Sequence, residues 1–363
     1  MKTNLIKLLV VALLSTFIFY PLSLLGQGAL TPPGAPAPTM KTLAQIEPRT
    51  PISSAPFTIS APGSYYLTTN LTGTSGNNGI TISSGDVTLD LNGFVLRGAS
   101  GSLDGVRVSG TYTNITVYNG TITGWGSCGV DAFTYGDPRN LVLERLIVSA
   151  NSSYGIITRP GSKVRDCCAI GNIVNDGIYC NGGLISGCMS RDNGGLGIFA
   201  NNCAVRDCQV ESNHTDGIWA YYSTVRDCNV YNNGHCGIFA AYSTVSGCYV
   251  LDSGWSGIIV EWPDCQIIGN NCISNNITGS STQAGIYIYD SNNRVEDNHV
   301  VYSGYAGIQV NNSGSYSNNI IVKNTVIGTN NYIIPAGQIV GPIITNTVSG
   351  IITNSNPWAN FSF

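Results

Sequence analysis

Charge is what this sequence has least of. Only 10% of its residues are Asp, Glu, Lys or Arg, and the formal net charge is −4. So thin a supply offers no basic surface for nucleic acid and none for an anionic membrane. Lysine is rarer still: past residue 56 only Lys163 and Lys323 remain. Three methionines and three histidines do not suggest a copper-handling chain. No Asp-Asp pair occurs anywhere. After residue 28 no apolar run approaches the ~20 residues that a spanning helix needs. No apolar pattern persists at helical spacing either, because Gly and Asn keep interrupting it. These absences argue against an α-helical fold and against a membrane span.

Both ends differ from the middle. Lys2 and Lys7 flank the start of an apolar run, Leu8 to Tyr20, which is followed by Gly26-Gln27-Gly28. That order of basic, apolar and small residues is the pattern of a secretory signal peptide over residues 1–28. It implies a chain that is secreted, periplasmic or at the cell surface. Residues 29–56 follow as a proline-rich linker, with six prolines between Ala29 and Pro51.

The body of the chain repeats. A Gly followed by Ile or Val recurs at Gly79, Gly105, Gly129, Gly155, Gly177, Gly197, Gly217, Gly237, Gly257, Gly285 and Gly307. From Gly177 to Gly257 the interval is 20 residues each time, and elsewhere it reaches 28. Aligned on this glycine, the next residue is always aliphatic, as in Ile198, Ile218, Ile238 and Ile258. The residue two further on is small or apolar, as in Ala200, Ala220, Ala240 and Val260. The column between them is mixed, running Tyr179, Phe199, Trp219, Phe239, Ile259. Uniform, mixed, uniform is the period of a short strand whose mixed column faces outward.

A second landmark is an aliphatic residue followed three positions later by Cys or Asn, as in Val205–Cys208, Val225–Cys228 and Val295–Asn298. A spacing of three breaks the alternation and marks a bend. Asp207, Asp227, Gly187, Gly247 and Gly269 stand just before that Cys or Asn and tolerate left-handed backbone. The expected fold class is therefore all-β: a parallel β-helix of about eleven rungs over residues 57–325, each rung of three short strands. At ~4.8 Å per rung it makes a rod of roughly 50 Å. Residues 326–363 lose the pattern but stay apolar, and are expected to cap the last rung.

Twelve cysteines in an exported chain would ordinarily imply disulfides. Here Cys167, Cys188, Cys208, Cys228 and Cys248 share one inward column that continues as Asn270, Asn298 and Asn324. A packed thiol ladder is the reading favoured, since side chains in register point the same way and suit a bridge poorly.

The Gly-Ile repeats with Asn-rich turns resemble the parallel β-helices of the pectate-lyase-like superfamily, above all its short-rung carbohydrate-binding and sugar-hydrolase repeats. Val87-Thr-Leu-Asp-Leu-Asn-Gly-Phe94 is similar to the first rungs of many members. The resemblance covers about residues 57–325 and implies a right-handed solenoid. It leaves the activity open, because the fold carries lyases, hydrolases, epimerases, a copper-maturation factor and adhesins. In that family the first-strand face and the loop beside it commonly form the substrate cleft. Polygalacturonase-like hydrolases use an adjacent Asp pair, which this chain lacks, and lyases with a Lys base are disfavoured by the scarcity of lysine. Tyr135-Gly-Asp-Pro-Arg139 resembles the alginate epimerase motif, with one residue missing and Arg in place of His.

The expected substrate-binding strip consists of Tyr179, Phe199, Trp219 and Phe239, with Tyr221, Tyr242, Glu261 and Trp262 beside it. His214, Asp216 and His235 are the candidate catalytic residues, placed close together in one variable loop on adjacent rungs. No cofactor or metal is expected; Ca2+ is compatible with the sequence but not indicated by it. The leading expectation is binding of an extended polysaccharide. The alternatives are a polysaccharide lyase or glycoside hydrolase, and a structural or adhesive surface rod.

Overall fold

The computed structural model describes residues 47–135, 137–312, 316–345 and 354–363. The expected leader and residues 29–46 of the proline-rich segment lie outside them. Among the described residues there are strands, turns and bends and no helix, so none is long and apolar enough to cross a membrane.

Every strand pairs in parallel with its counterpart one rung along, giving three faces. On the first face, Ile198 pairs with Ile218, Ile218 with Ile238 and Ile238 with Ile258. Strands such as Thr224–Arg226 form the second face and Asn229–Tyr231 the third. In Thr113–Thr123 and Ile198–Arg206 one unbroken strand runs across a corner from one face to the next.

The register follows from burial. Ile198, Ile218, Ile238 and Ile258 are fully buried, as are Ala200, Ala220, Ala240 and Val260. Burying two residues of every three-residue strand is what drives the coil to stack. The marker glycine has a steric cause. A Cβ at Gly217 would lie 2.5 Å from Val230 Cγ1 and 2.6 Å from the Gly237 carbonyl oxygen. No larger residue fits while the strands keep their pairing.

About 13 turns are present, not eleven. The two extra turns lie at the ends, where Pro56 and Asn331 replace the marker glycine. Phe57–Ile59 pairs with Ile80–Ile82, and Tyr332–Ile333 with Ile308 and Gln309. Thr50–Ile52, inside the segment read as linker, already pairs with Tyr65–Leu67. At the other end, Ile339–Val340 pairs with Ile320 and Ile321, and Asn360–Ser362 lies against Thr325 and Val326. The stretch expected as a cap thus contributes strands to all three faces.

The bend residues adopt left-handed backbone: φ is 56° at Asp207, 54° at Asp227 and 63° at Gly187 and Gly247. Behind them the cysteine column is buried, and all twelve cysteines are unpaired. The column passes into amides without a break. Cys248 N–H donates to Asn270 Oδ1 at 2.9 Å, and Asn270 and Asn298 each donate an amide N–H to the next Asn at 3.0 Å. A second amide ladder, Asn151–Asn172–Asn193–Asn213–Asn233, closes the corner before the first face with bonds of 2.9–3.0 Å. Such ladders satisfy the buried backbone polar groups of the turns.

Candidate functional site

The outward column of the first face is not one exposed strip. Tyr179 and Phe199 stack with ring centroids 4.4 Å apart, and Trp219 and Phe239 stack at 3.9 Å. No ring contact joins Phe199 to Trp219, so the four rings form two separate pairs. Stacking along the rod axis turns the ring faces toward each other and leaves mainly edges outward.

Phe239 departs from expectation in another way. It is only 6% exposed, because Cys236, Ile259 and Tyr287 pack on it in a second apolar cluster outside the coil, with Trp219, Tyr221 and Tyr242 at its margin. Phe239→Ala is therefore expected to cost about 3 kcal/mol of stability. A chemical-denaturation midpoint unchanged from the parent would show that this outer cluster contributes nothing.

Downstream of Trp219 the first face carries a cleft of about 830 Å³. Its floor is the outward column Trp219, Phe239, Ile259, Tyr287, Gln309. One wall is formed by residues two positions before the marker glycine, His235, Trp255, Gln283 and Tyr305, and Glu261 and Tyr289 stand opposite. His235 and Trp255 stack at 4.0 Å, only 10° from parallel. The 28-residue interval from Gly257 to Gly285 supplies a loop whose Ser281 and Thr282 complete the rim. That loop is tied down: Gln309 Nε2 donates to the Ser281 carbonyl at 3.2 Å, and Ser256 Oγ donates to Gln283 Oε1 at 2.6 Å.

Two carboxyl groups line the cleft. Asp216 is buried, and its Oδ1 accepts the Cys236 N–H at 2.8 Å. Burial holds its carboxyl above the usual range, although the Cys236 N–H and nearby His235 pull the other way. Glu261 is raised by burial first and by the charge of Asp216 second.

The three expected catalytic residues are not brought together. Asp216 and His235 share the cleft, while His214 is exposed in a different groove with Asp192, Asn193 and Ser212. The cause is an offset of one position. His235 N–H pairs with the Thr215 carbonyl, whereas His214 lies level with Gly234, whose N–H donates to Asn213. A slip of one residue redirects a side chain.

Of the other expected strip residues, Glu261 lines the cleft. Tyr221, Tyr242 and Trp262 sit on the turn between the first and second faces with Tyr222. There Tyr222 and Tyr242 stack at 4.7 Å, and Trp262 lies 5.7 Å from Tyr242. The Tyr135–Arg139 segment, whose Gly136 lies outside the described residues, is elsewhere again. Its Tyr135 ring lies 3.8 Å beneath Arg107, and Asp137 and Arg139 form an exposed pair. Asp104, Cys128 and Asp131 have ligand atoms within 4.8 Å of one another. Their carboxylates are already engaged, Asp104 by Arg107 and the Cys128 N–H, and Asp131 by the Phe133 and Thr134 N–H groups.

A family model described as a right handed beta helix region matches residues 59–225 and 200–356. The chain belongs to that family. Among solved structures it is similar to the A-module of the Azotobacter vinelandii mannuronan C-5 epimerase AlgE6, with a TM-score of 0.60 at 18% identity over 83% of this chain and 90% of that one. The AlgE4 A-module from the same organism gives 0.54 at 17% identity, over 80% and 91%. At such identities the likeness shows the fold. No curated protein matches the sequence.

In this β-helix the wall residues Gln283 and Tyr305 were missed from sequence. They occupy the same column as His235, and reading that column as a unit would have found them. Upstream, Asp176 occupies the column of Asp216, and its Oδ1 accepts the Leu196 N–H at 2.9 Å. Burial pushes its carboxyl up to about 6. Ionising it therefore opposes folding: the penalty is absent below the unfolded value near 4, grows up to about pH 6 and is complete above. Asp176→Asn keeps the acceptor and removes the charge. It is expected to be about 2 kcal/mol more stable than the parent at pH 7 and equal to it at pH 3.5. Denaturant titrations at both pH values check this; a gap that persists at pH 3.5 would rule out the carboxyl as its source.

Proposed function

We propose that this protein is an exported β-helix that binds an extended polysaccharide in the first-face cleft. The observation that carries the reading is the cleft itself, which sets the rings of Trp219, Trp255, Tyr287 and Tyr305 beside polar side chains such as Glu261, Gln283 and Asn312. Sites for chain-like sugars combine ring contacts with sparse hydrogen-bonding groups in this way. The similar solved structures are named for epimerases of mannuronan, a polysaccharide, which agrees with the reading. The aromatic turn formed by Tyr222, Tyr242 and Trp262 extends the apolar surface beside the cleft. The leader over residues 1–28 accounts for meeting such a substrate outside the cytoplasm.

A second reading, glycoside hydrolysis, is favoured by one feature: Asp216 and Glu261 face one cleft, both with raised carboxyls, beside His235. A carboxyl that keeps its proton can donate it to a leaving glycosidic oxygen while the other carboxylate activates water. Affinity electrophoresis of the mature chain through gels containing individual polysaccharides, with reducing-end assays of the same polymers, separates the readings. Retardation without new reducing ends is expected for binding, and new ends for hydrolysis. Neither, across neutral, uronate and amino-sugar polymers, would leave a structural or adhesive rod.

A further inference from the structure

We infer, on the basis of the glycan-binding reading, that the cleft takes a polysaccharide without carboxylates, a neutral hexosyl chain, and refuses uronate polymers. Mannuronan, on which the similar epimerases act, belongs to the refused class.

Among the described residues no lysine or arginine lines the cleft, and its two carboxyl side chains are Asp216 and Glu261. Several cations elsewhere on the rod are already paired. Arg107 pairs with Asp104, while Arg294 and Lys323 both pair with Glu296. Arg159 lies over the Phe133 ring, its Nε donating to the Phe133 carbonyl. It is three rungs upstream of Trp219, roughly 14 Å at the rung spacing. At physiological salt that exceeds the Debye length of about 8 Å, so Arg159 cannot neutralise a carboxylate seated on Trp219.

Beside hydroxyl and amide groups that can donate, such as those of Ser281, Thr282, Gln283 and Asn312, three polar side chains of the cleft present acceptors. Among the described residues none donates a hydrogen bond to the Glu261 carboxylate. Gln309 spends its amide N–H on the Ser281 carbonyl, and its Oε1 is buried with no partner. Asp216 accepts the Cys236 N–H, with the Cys236 thiol beside the same carboxyl. Acceptors of this kind are satisfied by sugar hydroxyls, which donate. A uronate replaces a donating hydroxymethyl group with an acceptor that carries negative charge. In the cleft that charge meets the like charges of Asp216 and Glu261.

The test uses the full mature chain at pH 7.5 and low salt, where charge effects are largest. Affinity electrophoresis is run against laminarin, xyloglucan and galactomannan as neutral polymers, and against alginate and polygalacturonate as uronates. At least one neutral polymer is expected to retard the protein at least tenfold more strongly than either uronate. The Asp216→Asn/Glu261→Gln variant should bind the uronates at least fivefold better than the parent, since only the charge is removed and Asn still accepts the Cys236 N–H. Retardation by a uronate equal to or stronger than by every neutral polymer, abolished by Trp219→Ala, would overturn the inference and leave the cleft reading standing. An unchanged uronate affinity in the charge-removed variant would also overturn it. If none of the five polymers retards the protein, the glycan-binding reading falls and this inference falls with it.

Discussion

Replacing Ile218 by Asp is expected to unfold the rungs around it. Ile218 is fully buried between Ile198 and Ile238, in register with both. The substitution exchanges a stacked aliphatic side chain for a carboxylate with no partner in an apolar column. An uncompensated buried charge costs several kcal/mol, and the lost packing adds to it. Because each rung contacts only its neighbours, the damage spreads from the middle of the rod in both directions. The variant should show loss of the β-sheet circular dichroism signal or tryptic cleavage near residues 200–240 at 25 °C. Ile218→Val, by contrast, should cost about 1 kcal/mol and remain resistant. A fully folded, protease-resistant Asp variant would mean that this column does not face the core.

The second large effect concerns binding. The Trp219→Ala/Trp255→Ala double variant should lose at least 50-fold in affinity for whichever polysaccharide the parent retains, about 2.3 kcal/mol. The two indoles belong to the floor and the wall of the same cleft. Trp255 is 41% exposed and Trp219 half-buried, so removing them should change stability far less than Phe239→Ala does. The contrast is the control: Phe239→Ala weakens the fold, and the Trp pair weakens the complex. Equal affinity in parent and double variant, measured by calorimetry on folded protein, would place the glycan elsewhere.

The coil was legible because its constraint is local and repeated. Ile198, Ile218, Ile238 and Ile258 recur beside a glycine that no larger residue can replace, so column and direction follow from twenty-residue spacing alone. The end turns were hidden because Pro56 and Asn331 carry no such mark. The site was legible only in part, for a different reason. Alternation tells which way Trp219 and Phe239 point, but not what lies over them. Phe239 is covered by Cys236, from the loop before its strand, and by Tyr287, from the same outward column two rungs along. Likewise His214 stands three residues before its glycine and His235 two, and that single-position offset sends them to different grooves. Glu261 was named from the sequence as part of the strip; its partnership with Asp216 depends on the lateral shape of the cleft.

The central claim is that sugar occupies the trough between Trp219 and Trp255. The most direct measurement is a crystal structure of the mature protein soaked with an oligosaccharide of the polymer that retards it. The account predicts sugar density lying along the first face, against Trp219, Trp255 and Tyr287 and within hydrogen-bond reach of Glu261. Density confined to the Tyr222, Tyr242 and Trp262 turn, with the trough empty at full ligand occupancy, would contradict it.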